Sequence, residues 1–205
     1  MFNKRKHHIE TILSLRLCVE RCYTVGMKLL LHSCCAPCSI QCAGALAEEG
    51  IRPELFWYNP NIHPFTEYRS RLDSLRSFAE ARELSLVVED DYGLRSFIKA
   101  VEEGAEKGDC HPRCAFCYRL RLEKTAALAA EKGCDAFSTT LLISPHQNHE
   151  LIRETGESLA ARYGVSFLYR DFRPRFRQGQ NQAREAGYYM QKYCGCIYSE
   201  EERYR

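Results

Sequence analysis

Between residues 27 and 169 the chain alternates short apolar runs with amphipathic stretches of helical period, and few architectures accept that alternation. Residues 28–32, 53–58, 84–88, 136–139 and 165–169 read as strands, each bounded by turn residues. Between them, residues 40–48 predict a helix closed by Gly50. Tyr68, Leu72, Leu75 and Ala79 share one helical face. Residues 93–102 and 119–131 predict two further helices. Ile152, Thr155, Leu159 and Tyr163 mark another, capped by Asn148 and closed by Gly164. Residues 104–117 read as a cysteine-bearing loop, and 182–191 as a weak helix. Five strands separated by helices predict an α/β fold: a mostly parallel sheet with helices on both faces.

Domain organisation follows. Residues 27–205 predict a single α/β metal-binding catalytic domain, and residues 1–26 a poorly ordered N-terminal extension. In that extension Ile9, Leu13 and Leu17 line one helical face, and Cys18 and Cys22 read as incidental thiols. A net charge of +2 limits any nucleic-acid affinity to a local patch. No stretch has the length of a membrane span or the layout of a signal peptide, so a reducing cytoplasm is expected. There, twelve cysteines in 205 residues point to metal or redox chemistry rather than to a disulfide framework.

The cysteines fall into groups. His32-Ser33-Cys34-Cys35-Ala36-Pro37-Cys38 follows the first strand and leads into a helix, the place where open α/β sheets bind ligands. Free N–H groups at a helix start favour thiolate over thiol. Cys110-x₃-Cys114-x₂-Cys117 again precedes a helix, and its C-x₂-C pair suits one metal or two irons of a cluster. Cys34, Cys35, Cys114 and Cys117 together make a four-thiolate set that zinc or a [4Fe–4S] cluster would accept. Cys194-Gly195-Cys196 has the spacing of a strained, reducible disulfide. Cys42 and Cys134 read as buried filler, and Cys110 as a spare thiol.

Among other residues, His32 reads as a hydrogen-bonded structural group, and His63, His146 and His149 as surface residues near the ligand edge. Ser138, Thr139 and Thr140 end a strand there. Residues 170–177 carry four arginines, one acid and two phenylalanines. A nucleic-acid surface built on Arg173, Arg175 and Arg177 and a plain solvated loop both fit that pattern. The turn after the first strand lacks the glycines of an ATP-pyrophosphatase phosphate loop, which argues against ATP use.

Five blocks in order, LLLHSCCAPCS, FWYNPNIHPFTEY, CAFCYRLRL, FSTTLLISPHQN and YCGCIYS, resemble the cobalamin-independent epoxyqueuosine reductases of the QueH type. The resemblance covers roughly residues 29–199. It implies a layered fold similar to the HUP and ATP-pyrophosphatase group without its ATP loop. It implies the last step of queuosine synthesis: reduction of epoxyqueuosine at the tRNA wobble position, with electrons from a donor the sequence does not identify. It also implies a [4Fe–4S] cluster on Cys34, Cys35, Cys114 and Cys117. An additional iron near Cys38 and a redox-active pair, Cys194 and Cys196, complete the implied site. In such a scheme an iron with an open position polarises the epoxide oxygen, the dithiol stores the electron pair, and Asp109, His111 or Tyr118 supplies a proton. Two other readings use the same residues: a non-catalytic zinc-binding RNA module, and a thiol–disulfide oxidoreductase built on Cys35 and Cys38.

Overall fold

The computed structural model describes residues 26–105 and 112–205. Five strands, β1 (Leu29–His32), β2 (Glu54–Trp57), β3 (Leu86–Val88), β4 (Ala136–Thr139) and β5 (Ser166–Phe167), form one sheet in the order β3-β2-β1-β4-β5. Every pairing is parallel. β1 and β4 are buried along their whole length, as central strands of a parallel sheet covered on both faces are. The seven helices among the described residues are α1 (Ala36–Glu48), α2 (Phe65–Ala81), α3 (Leu94–Ala105), α4 (Pro112–Glu131), α5 (His149–Tyr163), α6 (Phe176–Glu185) and α7 (Ile197–Tyr204). α1 packs with α2 and α6, whereas α4 packs on β1, β4, α3 and α5.

This topology positions the site. Chain order moves outward from β1 to β2 and β3, then returns across the sheet to β4, so the order reverses between β1 and β4. His32 and Thr139 are paired in register at the carboxyl ends of those strands. A crevice opens at such a reversal, and the thiol turn leaves β1 directly into it.

Several boundaries differ from the sequence reading. α1 begins at Ala36 rather than residue 40. Cys35, with extended backbone, is its N-cap, and Pro37 sets the first turn, so Cys38 is already helical. α4 begins at Pro112, which places Cys114 and Cys117 on a helix instead of in a loop. Proline suits a first helical position because no intrahelical partner waits for its missing N–H. The fifth strand shrinks to Ser166–Phe167: it is an edge strand, and beyond the ladder the Ser138 hydroxyl donates to the carbonyl of Leu168 at 2.8 Å. The C-terminal helix lies at Phe176–Glu185, not at 182–191, and α7 was not expected. Asn148 and Gly164 do cap α5: the Asn148 side chain accepts from the Leu151 N–H, and Gly164 is left-handed. Among the described residues no helix is long and apolar enough to cross a membrane. Cys18, Cys22, Asp109, Cys110, His111 and the helical face at Ile9, Leu13 and Leu17 lie outside the described residues.

Candidate active site

The thiol turn is held by its neighbours in the sheet. The Ser33 N–H donates to the Phe56 carbonyl at 2.8 Å, and Asn59 Nδ2 donates to the Ser33 carbonyl at 3.0 Å. The Sγ atoms of Cys34, Cys35 and Cys38 lie within 4.8 Å of one another, all buried. Cys34 and Cys35 are 3.8 Å apart, and Cys34 stands 3.8 Å from Thr140 Oγ1 beyond β4. Gln191 Nε2 donates to Cys38 Sγ at 3.3 Å.

The three thiols compete for one charge. Hydrogen bonds from Cys35 and Cys38 hold Cys34 well below the ordinary thiol range, with Arg71 and His32 adding to the effect. Burial raises Cys35, and hydrogen bonding to the other two raises Cys38. The metal-free turn thus ionises once readily and resists a second ionisation. A bound cation would remove that resistance, because thiolate ligation is coupled to proton release.

The second and third cysteine groups reach the same edge. α4 runs back from the carboxyl end of the sheet, so Cys114 and Cys117 begin it on one helical face. Burial pushes the Cys117 thiol up to about 12, with Cys194, Cys196 and Cys114 close enough to add to the shift. Cys117 and Cys196 share a buried cluster with Phe97 and Val101. Cys194 is exposed on the wall of a cleft of ≈ 490 Å³, which Cys34, Cys38 and Thr140 also line. Neither Cys194 nor Cys196 is bonded to another cysteine; both are thiols here. Three helix N-termini carry the thiols, since Cys196 is the N-cap of α7 as Cys35 is of α1.

Gly195 joins the Cys194/Cys196 segment to the frame. Its φ of +135° is one that side chains rarely adopt, and a Cβ there would meet Ile62 Cγ1 at 3.2 Å and Arg71 Nη1 at 3.3 Å. The His63 N–H donates to the Gly195 carbonyl at 2.7 Å, and the Tyr193 hydroxyl donates to the His63 carbonyl at 2.5 Å.

Sequence reasoning missed two arginines. Arg71, 1 % exposed, donates from Nε to Glu67 at 2.6 Å, from Nη1 to the Cys194 carbonyl and from Nη2 to the Tyr193 carbonyl, both at 3.0 Å. Tyr189 donates to the other oxygen of Glu67. Arg121, 2 % exposed, donates from Nε to the Cys117 carbonyl at 3.2 Å. The signal was periodic: Arg71 falls among Tyr68, Leu72 and Leu75, and Arg121 beside Tyr118, Leu122 and Thr125. Both occupy helix positions where an apolar residue was due.

The histidines divide. His32 is fully buried, with Nδ1 2.9 Å from Thr139 Oγ1 and Nε2 3.2 Å from Asn59 Oδ1; burial, then Arg121, lowers its pKa to about 4. It is a neutral structural group, as expected. His63 and His149 are buried instead of surface residues, held by the carbonyls of Pro60 and Ser144 respectively. His146 is exposed, lines the cleft and meets the Phe176 ring edge-on at 6.4 Å between centroids. Thr139 caps the turn that follows β4, so of the three hydroxyls there only Thr140 lines the cleft. Tyr118 donates to Gln147 Oε1 at 2.8 Å, and Gln147 Nε2 donates to Cys194 Sγ at 3.3 Å.

The basic stretch is less free than its composition suggests. Arg170 pairs with Glu49, Arg173 with Asp171 and Arg175 with Glu48, and Phe172 is buried. Arg177 is exposed next to Phe176, and Lys192 and Arg203 line the mouth of the cleft. A groove of ≈ 510 Å³ lined in part by Ile40, Ala47 and Phe78 contains none of the thiols.

Known proteins place this arrangement in a family. The model of the family described as epoxyqueuosine reductase QueH matches residues 29–202. The chain belongs to the epoxyqueuosine reductase QueH family. It is an oxidoreductase that converts epoxyqueuosine to queuosine in tRNA. The QueH epoxyqueuosine reductase of Dehalococcoides mccartyi is 40 % identical over 177 residues, covering 86 % of this chain and 94 % of that protein. That of Thermotoga maritima is 35 % identical over 180 residues, covering 85 % and 91 %. Among solved structures, a predicted subunit of a tRNA methyltransferase from Methanocaldococcus jannaschii aligns with a TM-score of 0.48 at 16 % identity, over 77 % of this chain and 75 % of that one. Membership in the QueH family sets aside the non-catalytic zinc module and the Cys35–Cys38 thiol–disulfide oxidoreductase.

Proposed function

We propose that this chain reduces the epoxide with electrons delivered through a [4Fe–4S] cluster held by Cys34, Cys35, Cys114 and Cys117, with Cys38 beside an additional iron. The observation that carries the reading is the buried Cys34–Cys35–Cys38 group at the sheet's reversal point, opening into the cleft that also holds Cys194. The donor set fits such a group, because sulfur-rich sites select iron–sulfur clusters or zinc. Within the family's redox chemistry, iron is the member of that pair that can change oxidation state. The two buried guanidiniums beside the thiols also match an anionic occupant.

Held by Cys34, Cys35, Cys114 and Cys117, a cluster would supply single-electron transfer, and an iron beside Cys38 would supply Lewis-acid chemistry toward the epoxide oxygen. Removing that oxygen consumes two electrons and two protons and releases water. Cys194 and Cys196 hold the electron pair as a dithiol and return it as a disulfide, which an external donor then reduces. Arg71 fixes the backbone of that pair against the thiol turn. Thr140, Ser144, Gln147 and Gln180 offer polar groups to the base along the cleft. Burial raises the Tyr118 hydroxyl to about 12, so it stays protonated and orients Gln147 toward Cys194. At the cleft, Lys192 and Arg203 meet backbone phosphates, with Arg177 exposed next to the cleft-lining Phe176, while His146 and Phe176 offer rings to an unstacked base. Arg173 and Arg175 join them once phosphate displaces their carboxylate partners, a displacement that exposed, solvent-screened pairs oppose only weakly.

Anaerobically reconstituted protein given a low-potential reductant and epoxyqueuosine-containing tRNA tests the reading by nucleoside mass spectrometry. Conversion to queuosine by cluster-loaded protein, and none by zinc-loaded protein, is the expected result. Equal conversion by the zinc form would refute the cluster's role.

A further inference from the structure

Arg71 and Arg121 are both buried beside the thiols, but they are not equally satisfied. Arg71 uses all three nitrogens on Glu67 and the carbonyls of Cys194 and Tyr193. Arg121 uses Nε on the Cys117 carbonyl, and its Nη2 is buried with no acceptor among the described residues. No carboxylate among the described residues pairs with it either; the groups that act on its charge are Cys117, Cys194, Cys34 and Tyr118. A buried cation with an idle donor is costly unless something anionic completes it.

Placement says what that anion is. Cys114, Cys117 and Arg121 stand at successive spacings of three and four on α4, so they share a face. Arg121 also lies within electrostatic reach of Cys34 on the opposite side of the sheet's reversal point. One guanidinium therefore addresses both halves of the ligand set and the redox pair. A four-thiolate [4Fe–4S] centre is dianionic when oxidised and gains a further negative charge on reduction. Arg121, with no carboxylate partner among the described residues, offsets part of that charge, whereas Arg71 is already paired with Glu67; net charge together with hydrogen bonds to sulfur sets the potential. Arginine suits the task better than lysine, since its fork is planar, multidentate and permanently charged.

We propose that Arg121 is a positioning residue for the iron–sulfur centre: its idle Nη2 donates to a sulfur of the cluster, and its charge favours the reduced state. The proposal rests on the reading that Cys34, Cys35, Cys114 and Cys117 hold a cluster.

Wild-type protein, Arg121→Gln and Arg121→Lys are loaded anaerobically with iron and sulfide, then titrated with dithionite under EPR. Arg121→Gln should show a midpoint potential more negative than wild type, with Arg121→Lys between them. Metal-free Arg121→Met should melt at or above the wild-type temperature, because it removes an unsatisfied buried charge that only the cluster completes. An unshifted potential in fully loaded Arg121→Gln overturns the proposal. So does failure of all three variants to fold without metal, which would make Arg121 part of the frame. If Arg121→Gln folds but takes up no cluster, loading by Arg121→Lys supports the proposal, and equal failure of Arg121→Lys overturns it. Wild type that incorporates no sulfide would instead refute the underlying cluster reading, and the proposal with it.

Discussion

Arg71 Nη1 donates to the backbone carbonyl of Cys194 at 3.0 Å, so a guanidinium that faces the thiols of Cys34 and Cys35 also holds the Cys-Gly-Cys segment. The thiol turn and the Cys-Gly-Cys segment are thereby set in one frame, although they lie near opposite ends of the described chain. Burial alone would depress the Arg71 charge, but Cys35, Glu67 and Cys34 hold it above the ordinary value.

Removing Arg71 should therefore be costly. Arg71→Ala leaves Glu67 buried and unpaired and frees two carbonyls, a loss of about 3–5 kcal/mol. Urea unfolding of the metal-free protein measures it. Adding Glu67→Gln to the variant should recover part of the loss, because no uncompensated carboxylate then remains inside.

Gly195→Ala addresses the proposed dithiol, Cys194 and Cys196, more locally. The positive φ and the contacts with Ile62 and Arg71 impose strain of about 1–3 kcal/mol. The variant should retain iron and sulfide but lose steady-state turnover by about tenfold or more, equivalent to about 1.4 kcal/mol in the barrier, while a single turnover with pre-reduced protein survives. Cys196→Ser should likewise retain iron and sulfide and lose steady-state turnover, and it should lose the single turnover as well, because no dithiol is left to hold the electron pair. Unchanged steady-state rates in both would remove the dithiol from the cycle.

Acid should destabilise the metal-free protein through His32. Its pKa falls from 6.5 to about 4 on folding, so the unfolded chain binds the extra proton across that interval. Stability is complete above about pH 6.5 and falls as the pH approaches 4, by about 3 kcal/mol for this one group. His63, lowered to about 4 by burial, acts in the same direction. A pH series of denaturant midpoints should show the decline, and His32→Asn should flatten it.

Much of this was legible from the residues, and the failures have physical causes. The Leu29-Leu30-Leu31 run, the Asn148 cap and the Gly164 stop each declare local structure, and all three stand. Cys114 and Cys117 misled because clustered thiols suggest a loop, although Pro112, just before Cys114, is the residue that opens the helix. Arg71 and Arg121 escaped because a lone charge on a helix normally lies on its wet face. Their burial depends on tertiary partners, the Tyr193 and Cys194 carbonyls for one and the thiols for the other. Arg173 and Arg175 looked free because Asp171 was the only acid near them in sequence; Glu48, which holds Arg175, lies on α1.

Binding of tRNA should separate these arginines. Lys192→Ala and Arg203→Ala should each weaken binding and lower the salt slope by about 0.7 per lost phosphate contact to a single strand. Arg173→Ala, already paired with Asp171, should change the slope less. Filter-binding titrations across a salt series measure both, and a larger effect from Arg173 would relocate the phosphate path.

The proposed chemistry turns on Cys34 and Cys35 at the entry to α1 and Cys114 and Cys117 on α4 building one centre. Iron and acid-labile sulfide per chain, measured after anaerobic reconstitution of wild type and the four single Cys→Ala variants, tests it most directly. The expected result is a full [4Fe–4S] complement in wild type, loss of sulfide together with iron in each of the four variants, and retained sulfide in Cys38→Ala. Normal sulfide in Cys114→Ala and Cys117→Ala would contradict it.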